Sequence, residues 1–143
     1  MTYGGWAIFM FGAAVDWSTK LIKVICHSSA EAEVAAGCFC GKRCMFVRSY
    51  LNELKSMGIG SGIDGASIFL IDNSACGPLT SNVGVSRTTE HFLRWQHYLR
   101  WLVVHGMVKV IWSPTDTQTS DILTKVIAAG LFIKHRNKLR GKY

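Results

Sequence analysis

Residues 90–105 carry the helical periodicity that reads most clearly in this chain, and the short apolar runs on either side of it limit the fold. Phe92, Trp95, Leu99, Leu102 and Val103 form an apolar stripe at helical spacing, while His91, Arg94, Tyr98, Trp101 and His105 form a second, cationic and aromatic face. Gly106 then ends the helix as a C-cap. Residues 66–71 and 107–112 are apolar runs too brief for helices and read as buried strands. Upstream, residues 3–11 and 15–26 are aromatic and β-branched around the Gly12-Ala13-Ala14 turn, which gives a hairpin. Ser28 and Glu31 form a capping box for a helix to about residue 54, with Gly37 and Gly41 inside it. A second box, Thr115 with Gln118, is expected to open a last helix through Ile122, Leu123, Val126 and Ile127. A hairpin followed by strands alternating with helices specifies a mixed α/β sheet covered by helices.

At 143 residues the chain has room for one core, expected over residues 1–130, with residues 131–143 as a basic and disordered C-terminal tail. Hydrophobic residues at 49% and charged residues at 17% exclude a disordered chain and a membrane protein alike. The opening residues 1–15 are uncharged, yet lack the basic leader of a signal peptide and are too few to span a bilayer. Five cysteines without a CxxC pair or zinc-finger spacing suggest a reducing, intracellular setting rather than secretion. Cys38 and Cys40 would point about 200° apart on one helix, which argues against a metal site with Cys44 and His27. The net charge of +7 lies wholly in residues 81–143, where ten Lys/Arg face three Asp/Glu, and nucleic acid is the commonest partner of such a half.

Among nine acidic residues, three occupy places where ligands gather in an α/β sheet. Glu33 falls in the first turns of the first long helix, Asp72 at the carboxyl end of a buried strand, and Asp121 in the first turns of the last helix. Converging carboxylates need a cation, and a set of hard oxygens selects Mg²⁺ or Mn²⁺, the setting for metal-assisted phosphoryl transfer. Each also has an ordinary structural reading: Glu33 as a helix-dipole charge, Asp72 as a turn former, Asp121 as the i,i+4 partner of Lys125.

The strings SSAEAEVAA (28–36), FLIDNSA (69–75), RTTEHFLRWQHYLR (87–100) and SPTDTQTSDILTK (113–125), together with the opening MTYGGWAIFMFGAAVDW, resemble the ribonuclease H domain of copia-type long-terminal-repeat retrotransposon polyproteins. The resemblance runs in order from residue 2 to about 127. It implies a ribonuclease H-like mixed sheet flanked by helices, with Glu33, Asp72 and Asp121 at three of the family's four catalytic, metal-binding carboxylates. Two cations roughly 4 Å apart would there activate water and stabilise the departing oxygen. It further implies an RNA/DNA hybrid as substrate, with hydrolysis of the RNA strand, and the reverse transcriptase domain of the same polyprotein as partner, with no membrane and no small-molecule cofactor. Asn73 and Ser74 would lie near the hybrid backbone, and Arg87, His91 and Arg94 would contact phosphates and sugars. The family's first catalytic Asp lies on a central strand upstream of the segment that residues 3–11 resemble, so this chain is expected to lack that strand, and Asp16 is not its substitute. The alternative is a catalytically impaired remnant that binds nucleic acid or packs on a reverse transcriptase domain.

Overall fold

The computed structural model describes residues 2–23, 26, 29–71 and 90–142. Strands β1 (Thr2–Met10) and β2 (Ala13–Ile22) form an antiparallel hairpin, then α1 (Ser29–Ser56) leads to β3 (Ser67–Ile71), α2 (Glu90–Val104) and β4 (Val108–Trp112). Two 3₁₀ turns, Thr115–Thr117 and Thr119–Leu123, precede α3 (Ala129–Leu139). The hairpin closes on Phe11 and Gly12, with Met10 opposite Ala13 and both loop residues at positive φ, 51° and 86°. That is the two-residue loop whose twist matches the strands, although Phe11 lacks the freedom of the Asn or Gly usual there.

The described strands form two two-stranded sheets, β1–β2 and a parallel β3–β4, rather than one continuous mixed sheet. A common core joins them. Val34, Cys38 and Cys44 of α1, Leu99 and Leu102 of α2, Phe69 of β3 and Val108 of β4 are buried together, and Ile8 of β1 packs against them. A second cluster of Ile22, Ala32 and Ala35 seats α1 on the hairpin. The helix glycines have a packing reason: a Cβ on Gly41 would lie 2.8 Å from Leu102 Cδ1, and one on Gly37 3.3 Å from Leu99 Cδ1. One turn apart, they let α2 approach α1 closely, which offsets the helix propensity that each glycine forgoes, about 1 kcal/mol.

Two expectations change at the C-terminal end. The segment after Pro114 forms 3₁₀ turns instead of an α-helix from Thr115, and neither turn carries a side-chain cap. The segment expected to be a disordered tail is helical, and α3 packs on β2 and on the Thr119–Leu123 turn: Lys138 Nζ lies 6.0 Å from the centre of the Phe9 ring, and His135 is 1% exposed. Basic residues alternating along the sequence spread around a helix, so Lys134, Arg136 and Arg140 remain exposed while Lys138 is half-buried.

Candidate functional site

Adjacent strand residues point to opposite faces, and at the start of β1 both residues are glycine. A Cβ on Gly4 would meet Ala36 Cβ of α1 at 2.9 Å. A Cβ on Gly5 would meet Thr124 Cγ2 at 2.6 Å, Leu123 Cβ at 3.1 Å and the Ser120 carbonyl at 3.3 Å. The hairpin is therefore clasped at one level by α1 on one face and by the Thr119–Leu123 turn on the other. Thr19, paired with Gly5, secures the second face by donating its Oγ1 hydrogen to the Leu123 carbonyl at 2.8 Å.

Two of the three candidate carboxylates lie on these clasping elements, on opposite faces of the hairpin. Glu33 lies one helical turn before Ala36, half-buried, with its Oε2 removed from solvent. Asp121 lies inside the turn packed on Gly5; its side chain is 12% exposed and Lys125 Nζ donates to Oδ2 at 3.0 Å. The i,i+4 pair expected with Lys125 thus forms, although the surrounding backbone is a 3₁₀ turn. Asp72, Asn73, Ser74 and Arg87 lie outside the described residues, so the three-carboxylate set cannot be assembled from those that are described. Among the described residues no group of three His, Cys, Asp or Glu is placed to hold a metal ion.

His91 is placed in the first turn of α2, and Arg94 and His97 are exposed on the same helix. Trp101 is 48% exposed and its ring lies 4.3 Å, centre to centre, from that of His105, whose Nδ1 contacts the Trp101 carbonyl. Trp95 turns inward to Phe39 of α1 at 6.2 Å. The outer side of α2 therefore offers cations and one accessible aromatic, while Tyr98 packs against the core and burial pushes its hydroxyl pKa upward. The cysteines of α1 are packing groups. Cys38 and Cys44 are buried, and the Cys40 thiol is pushed up to about 12, chiefly by burial and then by Cys44 and Asp16, which leaves it protonated and unreactive at neutral pH.

The register puts Asp16 opposite Ile8 on the α1 side, where Arg43 Nε and Nη2 both reach its Oδ2 at 2.8 Å. Around that pair is a groove of about 410 Å³ between β2 and α1. Sequence reasoning missed it. The available signal was Phe39, Lys42 and Arg43 on one side of a helix together with Asp16, Ser18 and Lys20 on one side of a strand, but only the docking of α1 brings the two sets together.

The chain is 27% identical over 129 residues to the retrovirus-related Pol polyprotein from transposon TNT 1-94 of Nicotiana tabacum, covering 90% of this chain and 9% of that protein. It is 24% identical over 135 residues to those from transposons RE1 and RE2 of Arabidopsis thaliana, covering 94% of this chain and 9% of each. No protein-family model matches the chain, and no solved structure does. The chain is thus homologous to a segment of retrotransposon Pol polyproteins, and it spans about a tenth of their length.

Proposed function

We propose that the chain is the ribonuclease H-like unit of a retrotransposon Pol polyprotein, binding RNA/DNA hybrids and contributing Glu33, Asp72 and Asp121 to metal-dependent hydrolysis of the RNA strand. The observation that carries this reading is that nearly the whole chain is homologous to one segment of retrotransposon Pol polyproteins; Glu33 and Asp121 lie on the two elements that pack against β1 at Gly4 and Gly5, from its opposite faces. Both described acids are oxygen donors withdrawn from solvent, a donor set suited to Mg²⁺ or Mn²⁺ and not to zinc. Glu33, Asp121 and Asp72 would hold the metal, whose chemistry there is to acidify water and stabilise a leaving oxygen. Lys125, whose Nζ donates to Asp121 Oδ2 at 3.0 Å, would have to give way to a bound cation. Arg94 and His91 on α2, with Arg87, Asn73 and Ser74 before it, would bind the sugar–phosphate backbone.

The impaired-remnant reading draws on the separate sheets. With no described ladder joining β1–β2 to β3–β4, a further strand bearing the remaining carboxylate is what the reading requires for full activity. The deciding assay follows hydrolysis of a fluorescent RNA/DNA hybrid in Mg²⁺. Residues 1–143 alone should bind the hybrid more tightly than duplex DNA and cleave it near background. Fusing an Asp-bearing strand ahead of Thr2 should raise cleavage, and Asp72→Asn or Asp121→Asn in that longer chain should abolish it. Equal binding to duplex DNA, with no cleavage in the longer chain, would overturn the reading.

A further inference from the structure

The groove between β2 and α1 lies apart from Glu33 and Asp121, and its chemistry is unused by the reading above. One wall is the α1-facing side of the hairpin, with Trp6, Asp16 and Lys20 at alternate positions. The other is Phe39, Lys42 and Arg43, which α-helical spacing puts on one side of α1. Its volume of about 410 Å³ is within the range of small-ligand sites, about 300–1,000 Å³.

The charges leave a definite remainder. Asp16 is the one carboxylate of the groove and Arg43 holds it at 2.8 Å, so that pair is internally neutral. Lys20 Nζ lies 4.4 Å from the centre of the Phe39 ring and Lys42 Nζ lies 5.9 Å from that of Tyr98, and neither pairs with a described carboxylate. Trp6 is 7% exposed, and its indole Nε1 is buried without a hydrogen-bond partner. The uncommitted groups are thus two ammonium donors beside aromatic surface. Such a set fits a ligand that is anionic and acceptor-rich at one end and flat and apolar at the other.

We propose that this groove binds one nucleotide unit of a single-stranded nucleic acid, its phosphate between Lys20 and Lys42 and its base against the Trp6–Phe39 wall. A duplex keeps its bases stacked inside and can offer such a wall only phosphate, whereas an unpaired base can turn into it. The proposal goes beyond the hydrolytic reading and does not depend on it, since binding here needs neither Asp72 nor a metal.

Fluorescence anisotropy of a labelled 20-nucleotide oligo-dT in EDTA separates the two. The paired change Lys20→Gln with Lys42→Gln should weaken binding about ten-fold or more and reduce the salt slope by about 0.7, the value for one lost single-strand phosphate contact. Lys20→Arg with Lys42→Arg should retain most of the affinity. Phe39→Leu, verified as folded by circular dichroism, should weaken binding with the salt slope unchanged. Oligo-dT affinity unaffected by the glutamine pair overturns the proposal. So does duplex DNA bound as tightly as oligo-dT, which would reduce the groove to a phosphate patch. Saturation by AMP with no gain from chain length would assign the groove to free nucleotides, and a poly-glutamate peptide equally dependent on Phe39 would assign it to acidic protein; either overturns the single-strand assignment.

Discussion

Gly4 and Gly5 are where residue-scale chemistry is most exposed to test, because each lacks the one atom that its neighbours exclude. Gly4→Ala presses a methyl to 2.9 Å from Ala36 Cβ, and Gly5→Ala to 2.6 Å from Thr124 Cγ2 beside a backbone carbonyl. Both should destabilise the fold by about 1–3 kcal/mol, the usual cost of overpacking. Gly130→Ala in the first turn of α3, with nothing within 4 Å, should instead stabilise it by up to about 1 kcal/mol. Urea unfolding of the three variants checks the contrast in sign. His135 makes a pH-dependent case: it is buried, neither ring nitrogen has a hydrogen-bond partner, and its pKa is held below the ordinary 6.5. Burial is the main cause, Lys134 and Lys138 add to it, and Asp121 and Asp116 oppose it. Above about pH 6.5 the ring is neutral folded and unfolded, so its contribution is intact. As pH falls below that value the unfolded chain takes up the proton first, and stability is lost until the pH passes the lowered folded value. His135→Leu should therefore flatten this acid limb and raise stability at neutral pH by about 1–3 kcal/mol, the cost of an unsatisfied buried polar group. An unchanged urea midpoint between about pH 5 and pH 7.5 in the wild type would remove His135 from that role.

At the scale of elements, α1 and α3 close the hairpin from opposite sides, and α3 corrects the expectation of a free basic end. Removing residues 129–142 uncovers Phe9 and takes away the helix that contacts both β2 and the Thr119–Leu123 turn. The truncated chain should thus melt at a lower temperature by calorimetry, which loss of an unstructured tail would not cause. Exchanging exposed Lys134, Arg136 and Arg140 for Gln preserves the packed side and tests charge alone. Hybrid binding should then lose about 0.9 of salt slope for each abolished phosphate contact, with the melting temperature little changed. The hairpin, α1, β3, α2 and β4 were legible within a few residues because each has its own periodicity or glycine boundary. The 3₁₀ turns were not, since a capping box marks where a helix can start and not whether packing on Gly5 allows it to continue. Nor was α3, whose burial depends on partners in β1 and β2 more than a hundred residues earlier.

For the whole molecule, a +7 chain homologous to a segment of retrotransposon Pol polyproteins has two small sheets held by one helix, α1, which packs on the hairpin with one side and on α2 with another. If hybrid binding and the β2–α1 groove act independently, changes at Lys20 and Lys42 should leave hybrid affinity in Mg²⁺ largely intact while weakening oligo-dT, and competition between the two ligands measures any coupling. The sequence by itself determined the order of elements as far as β4, the mixed α/β class, the burial of Leu99 and Leu102, and the Asp121–Lys125 pair, all of which rest on local spacing or on periodicity along one element. Only the tertiary structure decided that two strands and two strands stand as separate ladders around one core, that α1 and the Thr119–Leu123 turn pack on opposite faces of the hairpin at Gly4 and Gly5, and that Lys20 meets Phe39. The physical reason is the same in each case: the contact joins residues on different elements, and it exists only once burial of Ile22, Ala32 and Ala35 has fixed α1 against the hairpin.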